Sequence, residues 1–222
     1  MLQQINKKII FYISLVIILG TFNNKNLKNF DFPKINAIDI QGIEFNDNEY
    51  LKITSLIKLN NLLFIQKSQI KEILNSNNLI EEYEVFKRYP SSIEIKIEKT
   101  NFLASTNISG KNYLVGSNGK FISKKEFSEN LPFIFGNFEI KKFLKLKEII
   151  SQTNLDYNNI KNFYSFPSGR WDIEMISGVM IKLPITEIKE TLNLSIDLLN
   201  NKEFSNIKIL DIRQKNQIVI ND

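Results

Sequence analysis

Between Ser92 and Thr100 the chain alternates strictly, with Ile93, Ile95 and Ile97 set between Glu94, Lys96 and Glu98. Period-two alternation of this kind predicts a half-buried strand. The preceding stretch, EYEVFKRYP, predicts its hairpin partner. Upstream, Ile38 and Ile40 share one face of a first strand. NDNEYLKITSLIK and KSQIKEILNS carry helical spacing instead, with stripes at Tyr50, Ile53 and Ile57 and at Ile70, Ile73 and Leu74. Residues 35–100 therefore predict a β-α-α-β-β unit. A unit of this order behind an apolar segment reads as a docking module rather than an enzyme.

That apolar segment runs from Ile9 to Phe22 without a charge, behind a polar head (1–8) that ends in Lys7 and Lys8. A comfortable membrane span takes about 20 apolar residues. With Ile5 and Asn6 included and the two lysines snorkelling, the run approaches that length. A cleaved signal peptide is the competing reading, but Asn23-Asn24-Lys25-Asn26 supplies no small-residue cleavage site. The expectation is an uncleaved anchor over 9–22 and a polar tether over 23–34. Charge alone leaves its orientation open, because Lys25, Lys28 and Lys34 balance Lys7 and Lys8. A long folded domain can translocate despite its charges, so the bulk of the chain is expected outside the cytoplasm.

Residues 101–222 predict a β-rich second domain. FLASTNI and YLVGSNGKFIS read as paired strands turning at Ser117-Asn118-Gly119, and LPFIFG reads as a short apolar segment. KKFLKLKEIISQ is helical, with Phe143, Leu146, Ile149 and Ile150 on one face. SGRWDIEMISGVMIKLP is a hairpin in which Trp171, Ile173 and Met175 alternate, Ser177-Gly178 turns, and Val179, Ile181 and Leu183 alternate back. TEIKETLNLSIDLLNN predicts a helix capped by Thr186, with Glu187 in its first turn and a stripe at Ile188, Leu192, Ile196 and Leu199. NIKILDIRQKNQIVIND gives one or two closing strands. The fold class is α+β: one N-terminal membrane helix, the β-α-α-β-β module and a β domain with an antiparallel sheet and helices.

Composition narrows the function. Hydrophobic residues are 43% of the 222 and charged residues 24%, enough for a folded core. The net charge of +5 is spread, with Glu mixed among the Lys, and does not make the one-sided basic patch of a nucleic-acid binder. There is no Cys and no His, which removes disulfides, thiol nucleophiles, His-based triads and nearly all zinc chemistry. No phosphate-cradling glycine loop occurs. Glu81, Glu82 and Glu84 read as a solvated face. Ser91-Ser92 and Ser123-Lys124 sit at turns, where serine serves the backbone. Trp171 reads as core. No catalytic residue, cofactor or metal site is assigned. The remaining signal is the consecutive run Ile218-Val219-Ile220. Such a strand is either an exposed sheet edge that accepts another chain or an interior strand buried on both faces.

AIDIQGIEF, LIKLNNLLFIQ, NLIEEYEVFKRYPSSIEIKIEKTNFLA, YLVGSNGKFI, LPFIFG, WDIEMISGVMIKLP and ILDIRQKNQIVI follow one another in this order. Together they resemble the FtsQ/DivIB family of bacterial cell-division proteins over nearly the whole chain, and the first module is similar to a POTRA domain. The chain departs from the family's pattern at Gly116, where an Asp is common, and at Gln214, where an aromatic is common. Polar residues around Asn216 and Gln217 replace the usual glycine of the closing turn. The resemblance implies a non-catalytic single-pass protein of the inner membrane, with its bulk in the periplasm and its place at the division septum. It implies FtsB and FtsL as partners, a strand of FtsB adding at the edge of the second domain. Carried onto this chain, that edge is Asp211, Ile212, Arg213, Gln214, Lys215, Asn216, Gln217, Ile218, Val219 and Ile220, with Arg213 expected to meet an acidic residue of the partner. A POTRA-type factor for outer-membrane protein assembly or secretion is the alternative, and an anchored Ser-Lys hydrolase a third.

Overall fold

The computed structural model describes residues 7–22, 33–43, 47–58, 60, 62, 65–124, 131–201, 207–214 and 217–221. The chain divides into two compact units, one of residues 1–39, 45–66 and 86–94, the other of residues 40–44, 67–85 and 95–222.

Helix α1 spans Lys7–Phe22, where the charge-free run predicts it. At 1.5 Å per residue its 16 residues reach about 24 Å. Its large apolar side chains from Ile9 to Leu19 are 42–68% exposed. Among the described residues no helix is long and apolar enough to cross a membrane.

The β-α-α-β-β order is present as β1 (Ala37–Gln41), α2 (Asp47–Lys58), α3 (Lys67–Ser76), β2 (Ile80–Arg88) and β3 (Ser92–Lys99). The strands form a sheet in the order β1-β3-β2. Ile93, Ile95 and Ile97 are buried, as their alternation requires. On α2 the buried stripe is Ile53, Thr54 and Ile57, whereas Tyr50 in the first turn is 45% exposed. Thr54 takes the inward place because its hydroxyl donates to the Tyr50 carbonyl at 2.8 Å, so burial leaves no orphaned polar group.

The second unit carries a nine-stranded sheet. Its strands are β4 (Phe102–Ile108), β5 (Lys111–Gly116), β6 (Phe121–Ser123), β7 (Phe133–Phe135), β8 (Ile160–Ser165), β9 (Trp171–Met175), β10 (Met180–Lys182), β11 (Ile209–Asp211) and β12 (Val219–Asn221). Their spatial order is β12-β11-β10-β9-β8-β7-β4-β5-β6. The hairpins are antiparallel, but β4–β7, β7–β8 and β10–β11 pair in parallel, so the sheet is mixed. Parallel neighbours need long crossovers. Two of these carry helices, α4 (Ile140–Ser151) between β7 and β8 and α5 (Ile188–Asn200) between β10 and β11.

The core lies between α4, α5 and one sheet face. Phe143, Leu146 and Ile150 from α4 and Leu192 from α5 pack on Phe163, Ile173, Ile181 and Leu183. Phe143 meets Phe163 edge-on at 5.6 Å, and Phe163 meets Trp171 at 6.4 Å. Trp171 is 4% exposed and belongs to this core. Burying side chains of this size stabilises by about 1.5–3 kcal/mol each. One expectation fails at α5. Its N-cap is Glu187, in the left-handed region at φ 60° and without a side-chain cap bond, and Thr186 lies one residue outside. The Glu187 carbonyl accepts both the Thr191 N–H at 3.1 Å and the Thr191 hydroxyl at 2.8 Å.

Candidate partner-binding edge

β12 ends the nine-strand order and pairs with β11 and with no other strand among the described residues. Of the two readings of Ile218-Val219-Ile220, the structure has the edge. Val219 is 60% and Ile218 40% exposed.

The ladder decides which backbone groups face outward. Met180 N–H donates to the Lys208 carbonyl at 2.8 Å and Ile212 N–H to the Lys182 carbonyl at 3.1 Å. Leu210, between them, therefore turns its backbone towards β10, leaving Ile209 and Asp211 to face β12, and the Lys208 N–H donates to the Asn221 carbonyl at 3.0 Å. Ile209 and Asp211 are opposite Asn221 and Val219. By the alternation of strand geometry, the N–H and C=O of Ile220 point away from the sheet. Its side chain goes to the helix-covered face, against Leu210, Ile207 and Ile212. That of Val219 goes to the other.

On that other face the register lines up Asp172 of β9, Lys182 of β10, Asp211 of β11 and Val219. The charges alternate in sign from strand to strand, a favourable cross-strand arrangement. Arg213 closes the row. Its Nε lies 2.8 and 3.0 Å from the two Asp211 carboxylate oxygens and its Nη2 2.5 Å from Oδ2, a bidentate pair. Its backbone N–H also donates to Asp211 Oδ1 at 3.2 Å. These bonds hold the Asp211 carboxyl below its usual range and push the Arg213 guanidinium up. Asp172 is buried, which pushes its carboxyl up against the opposing pull of Arg170, whose Nε donates at 3.2 Å.

The expected site residues thus divide. Asp211 lies on β11, Ile212 is buried, and Arg213 and Gln214 are exposed. Gln217 N–H donates to the Gln214 carbonyl at 3.3 Å. Lys215 and Asn216 lie outside the described residues. Arg213, expected to meet a partner's acid, is paired within its own chain. Asp172 and Lys182 join the row although sequence reasoning passed over them. Their signal was the alternation in WDIEM and MIK, which sets both opposite the core positions.

Glu174 sits on the same face as Asp172 and accepts from Asn162 Nδ2 at 2.8 Å, Tyr164 OH at 2.7 Å and Lys161 Nζ at 3.0 Å. The Asn162 and Tyr164 bonds lead in lowering its carboxyl from 4.5 to about 2. A depressed acid stabilises the fold above its unfolded pKa, and that contribution disappears as pH falls through the folded one. Urea titrations between pH 5 and 2 should therefore show Glu174→Gln losing less stability over this range than the unmodified chain.

Two of the serines considered for chemistry are held in hydrogen bonds of the fold. Ser91 Oγ donates to Asn36 Oδ1 at 3.0 Å, and Ser92 Oγ to the Arg88 carbonyl at 3.1 Å. Glu82 and Glu84 are exposed, as a solvated face requires. Glu81 is not part of that face. Half-buried, it accepts from Thr100 Oγ1 at 2.8 Å and Ser117 Oγ at 2.6 Å.

A small β-α-α-β-β module is followed along the chain by a large mixed sheet whose last strand pairs on one side only among the described residues. The comparisons agree in order and extent. Residues 34–99 match the POTRA domain of FtsQ type, and residues 104–213 match the C-terminal region of cell division protein FtsQ/DivIB. Cell division protein FtsQ of Rickettsia bellii is 30% identical over 192 residues, covering 84% of this chain and 72% of that protein. Cell division protein DivIB of Clostridium botulinum (Loch Maree) is 25% identical over 224 residues, covering 93% and 86%. The solved extracytoplasmic domain of DivIB from Geobacillus stearothermophilus aligns with 50% of this chain and 99% of that one, at 12% identity and a TM-score of 0.36, too distant to inform the fold. The chain belongs to the FtsQ/DivIB family of cell-division proteins. The C-terminal match stops at Arg213, so β12 lies beyond it.

Proposed function

We propose that this protein is a non-catalytic, membrane-anchored scaffold of the division machinery, which takes up a strand of FtsB at β12 and works together with FtsL. The observation that carries this reading is Ile220, whose backbone N–H and C=O face away from the last strand of the sheet. Main-chain groups there offer affinity, and the row from Val219 to Asp211 and Arg213 offers side-chain selection.

The anchor is α1. Its exposed apolar residues surround the helix instead of forming one stripe, which suits lipid better than a protein core. Sixteen helical residues fall short of a hydrocarbon core about 30 Å thick. Snorkelling of Lys7 and Lys8 and local thinning would make up the difference. Confinement to one membrane plane raises the effective concentration of other anchored partners. The bulk of the chain would lie in the periplasm, at the septum, with the POTRA-type module over 35–100 contributing localisation contacts and the domain over 101–222 the docking edge.

The test is capture of the full chain, in nanodiscs, by the periplasmic part of FtsB, with and without residues 217–222. Capture by the intact chain and its loss on deletion, with far-UV circular dichroism retained, is the expected result. Equal capture by both forms would overturn the placement of the edge. No capture by the folded intact chain would overturn the partner.

A further inference from the structure

The turn between β5 and β6 grips a segment far away in sequence. Ser117 Oγ donates to Glu81 Oε2 at 2.6 Å, and Thr100 Oγ1 donates to the same oxygen at 2.8 Å. Asn118 Nδ2 donates to the carbonyls of Asn78 and Ile80, both at 2.9 Å. Lys120 Nζ reaches the carbonyls of Asn75 and Asn77 at 2.8 and 3.3 Å. In the reverse direction, Asn78 Nδ2 donates to the Phe121 carbonyl at 2.9 Å. Two backbone bonds run alongside, Thr100 N–H to the Leu79 carbonyl at 2.9 Å and Ser117 N–H to the Asn101 carbonyl at 2.8 Å.

Each of these groups answers a need of the segment it holds. Carbonyls at the end of a helix lack intrahelical partners and carry the negative end of its dipole, and an ammonium there is favourable. Lys120 supplies one at the end of α3. Ile80 opens β2 at the margin of its sheet and Asn78 lies two residues before it, and Asn118 covers the carbonyls of both. Glu81 is half-buried and receives two hydroxyl donors. Gly116 makes the fit possible. A Cβ there would lie 2.6 Å from Asn118 Oδ1 and 2.8 Å from Thr100 Oγ1, closer than side-chain atoms tolerate.

We propose that Ser117, Asn118 and Lys120 form a latch that fixes residues 75–81 to the nine-stranded sheet, so that this segment and the β4–β6 end of the sheet open and close as one cooperative body. A latch has one opening event. Any substitution that releases it exposes the same amides, and a second substitution adds little to the first. Unconnected surface hydrogen bonds have separate openings, and their losses multiply.

Amide hydrogen exchange on the full chain tests this, with Ser117→Ala, Glu81→Gln and the double variant. Each single change should speed exchange of the Thr100 and Ser117 amides by about tenfold and leave Ile173 and Ile181 unchanged, with little more in the double variant. Gly116→Ala, which forces the turn apart sterically, should match the double variant at the same amides. Single-variant losses that multiply in the double variant would overturn the latch. So would unchanged exchange at Thr100 and Ser117, or a fall in protection spread evenly through β8, β9 and β10.

Discussion

Replacing Ile220 by proline should weaken the proposed capture of an FtsB strand by about 10- to 100-fold while leaving the far-UV circular dichroism spectrum as it was. Proline has no N–H to donate. The partner's carbonyl is then left without its donor in a closed ladder, and an unsatisfied group there costs about 1–3 kcal/mol. Val219 is a less informative position, although it is the more exposed of the two. Its N–H faces Asp211 across the β11–β12 ladder, so proline there detaches β12 from its own sheet and confounds docking with folding. Surface plasmon resonance on the two variants separates these effects. Ile220→Pro should lose affinity alone, and Val219→Pro should also lose exchange protection at Asp211, whose amide faces Val219. Unchanged affinity in Ile220→Pro would mean that the outward groups of β12 are not what the partner reads.

Gly42→Ala lowers the melting temperature of the first module by roughly 12–24 °C, corresponding to about 3 kcal/mol. Gly42 has φ +100°, a region that L side chains rarely adopt, and a Cβ there would lie 1.8 Å from the Ile97 carbonyl oxygen. That oxygen belongs to the backbone of β3 and has no rotamer in which to retreat. The chain after β1 must therefore move away from β3. Differential scanning calorimetry of the variant should show the loss, and a shift under 2 °C would mean that the close approach relaxes at little cost.

Much of this was legible from local pattern. The alternation of Ile93, Ile95 and Ile97 places β3, the spacing of Phe143, Leu146 and Ile150 places α4, and Ser177-Gly178 places a turn. All are short-range signals. The readings that fail do so for different reasons. Glu81 reads as a solvated carboxylate because its two donors stand 19 and 36 residues away. Tyr50 has the right spacing for a core position, yet Thr54 is buried in its stead, which periodicity by side-chain type cannot foresee. The run Ile218-Val219-Ile220 suits an edge and an interior strand equally well. Only the order of strands across the sheet separates the two, and order depends on which distant segments pair. Arg213 has a partner within its own chain as well, two residues earlier, reached only when Asp211 and Arg213 turn to the same side.

The parallel pairing of β10 with β11 has a kinetic consequence. Ladder bonds between these strands cannot close until the chain from Leu183 to Lys208 has completed its crossover, with α5 packed on the sheet. Closing so long a loop is slow compared with forming a hairpin. β12 rests on β11 in turn, so the outward groups of Ile220 take their places after that crossover has docked. A partner that recognised them would distinguish finished molecules from folding intermediates, and assembly at the proposed edge would thereby be timed by the maturation of the domain that bears it.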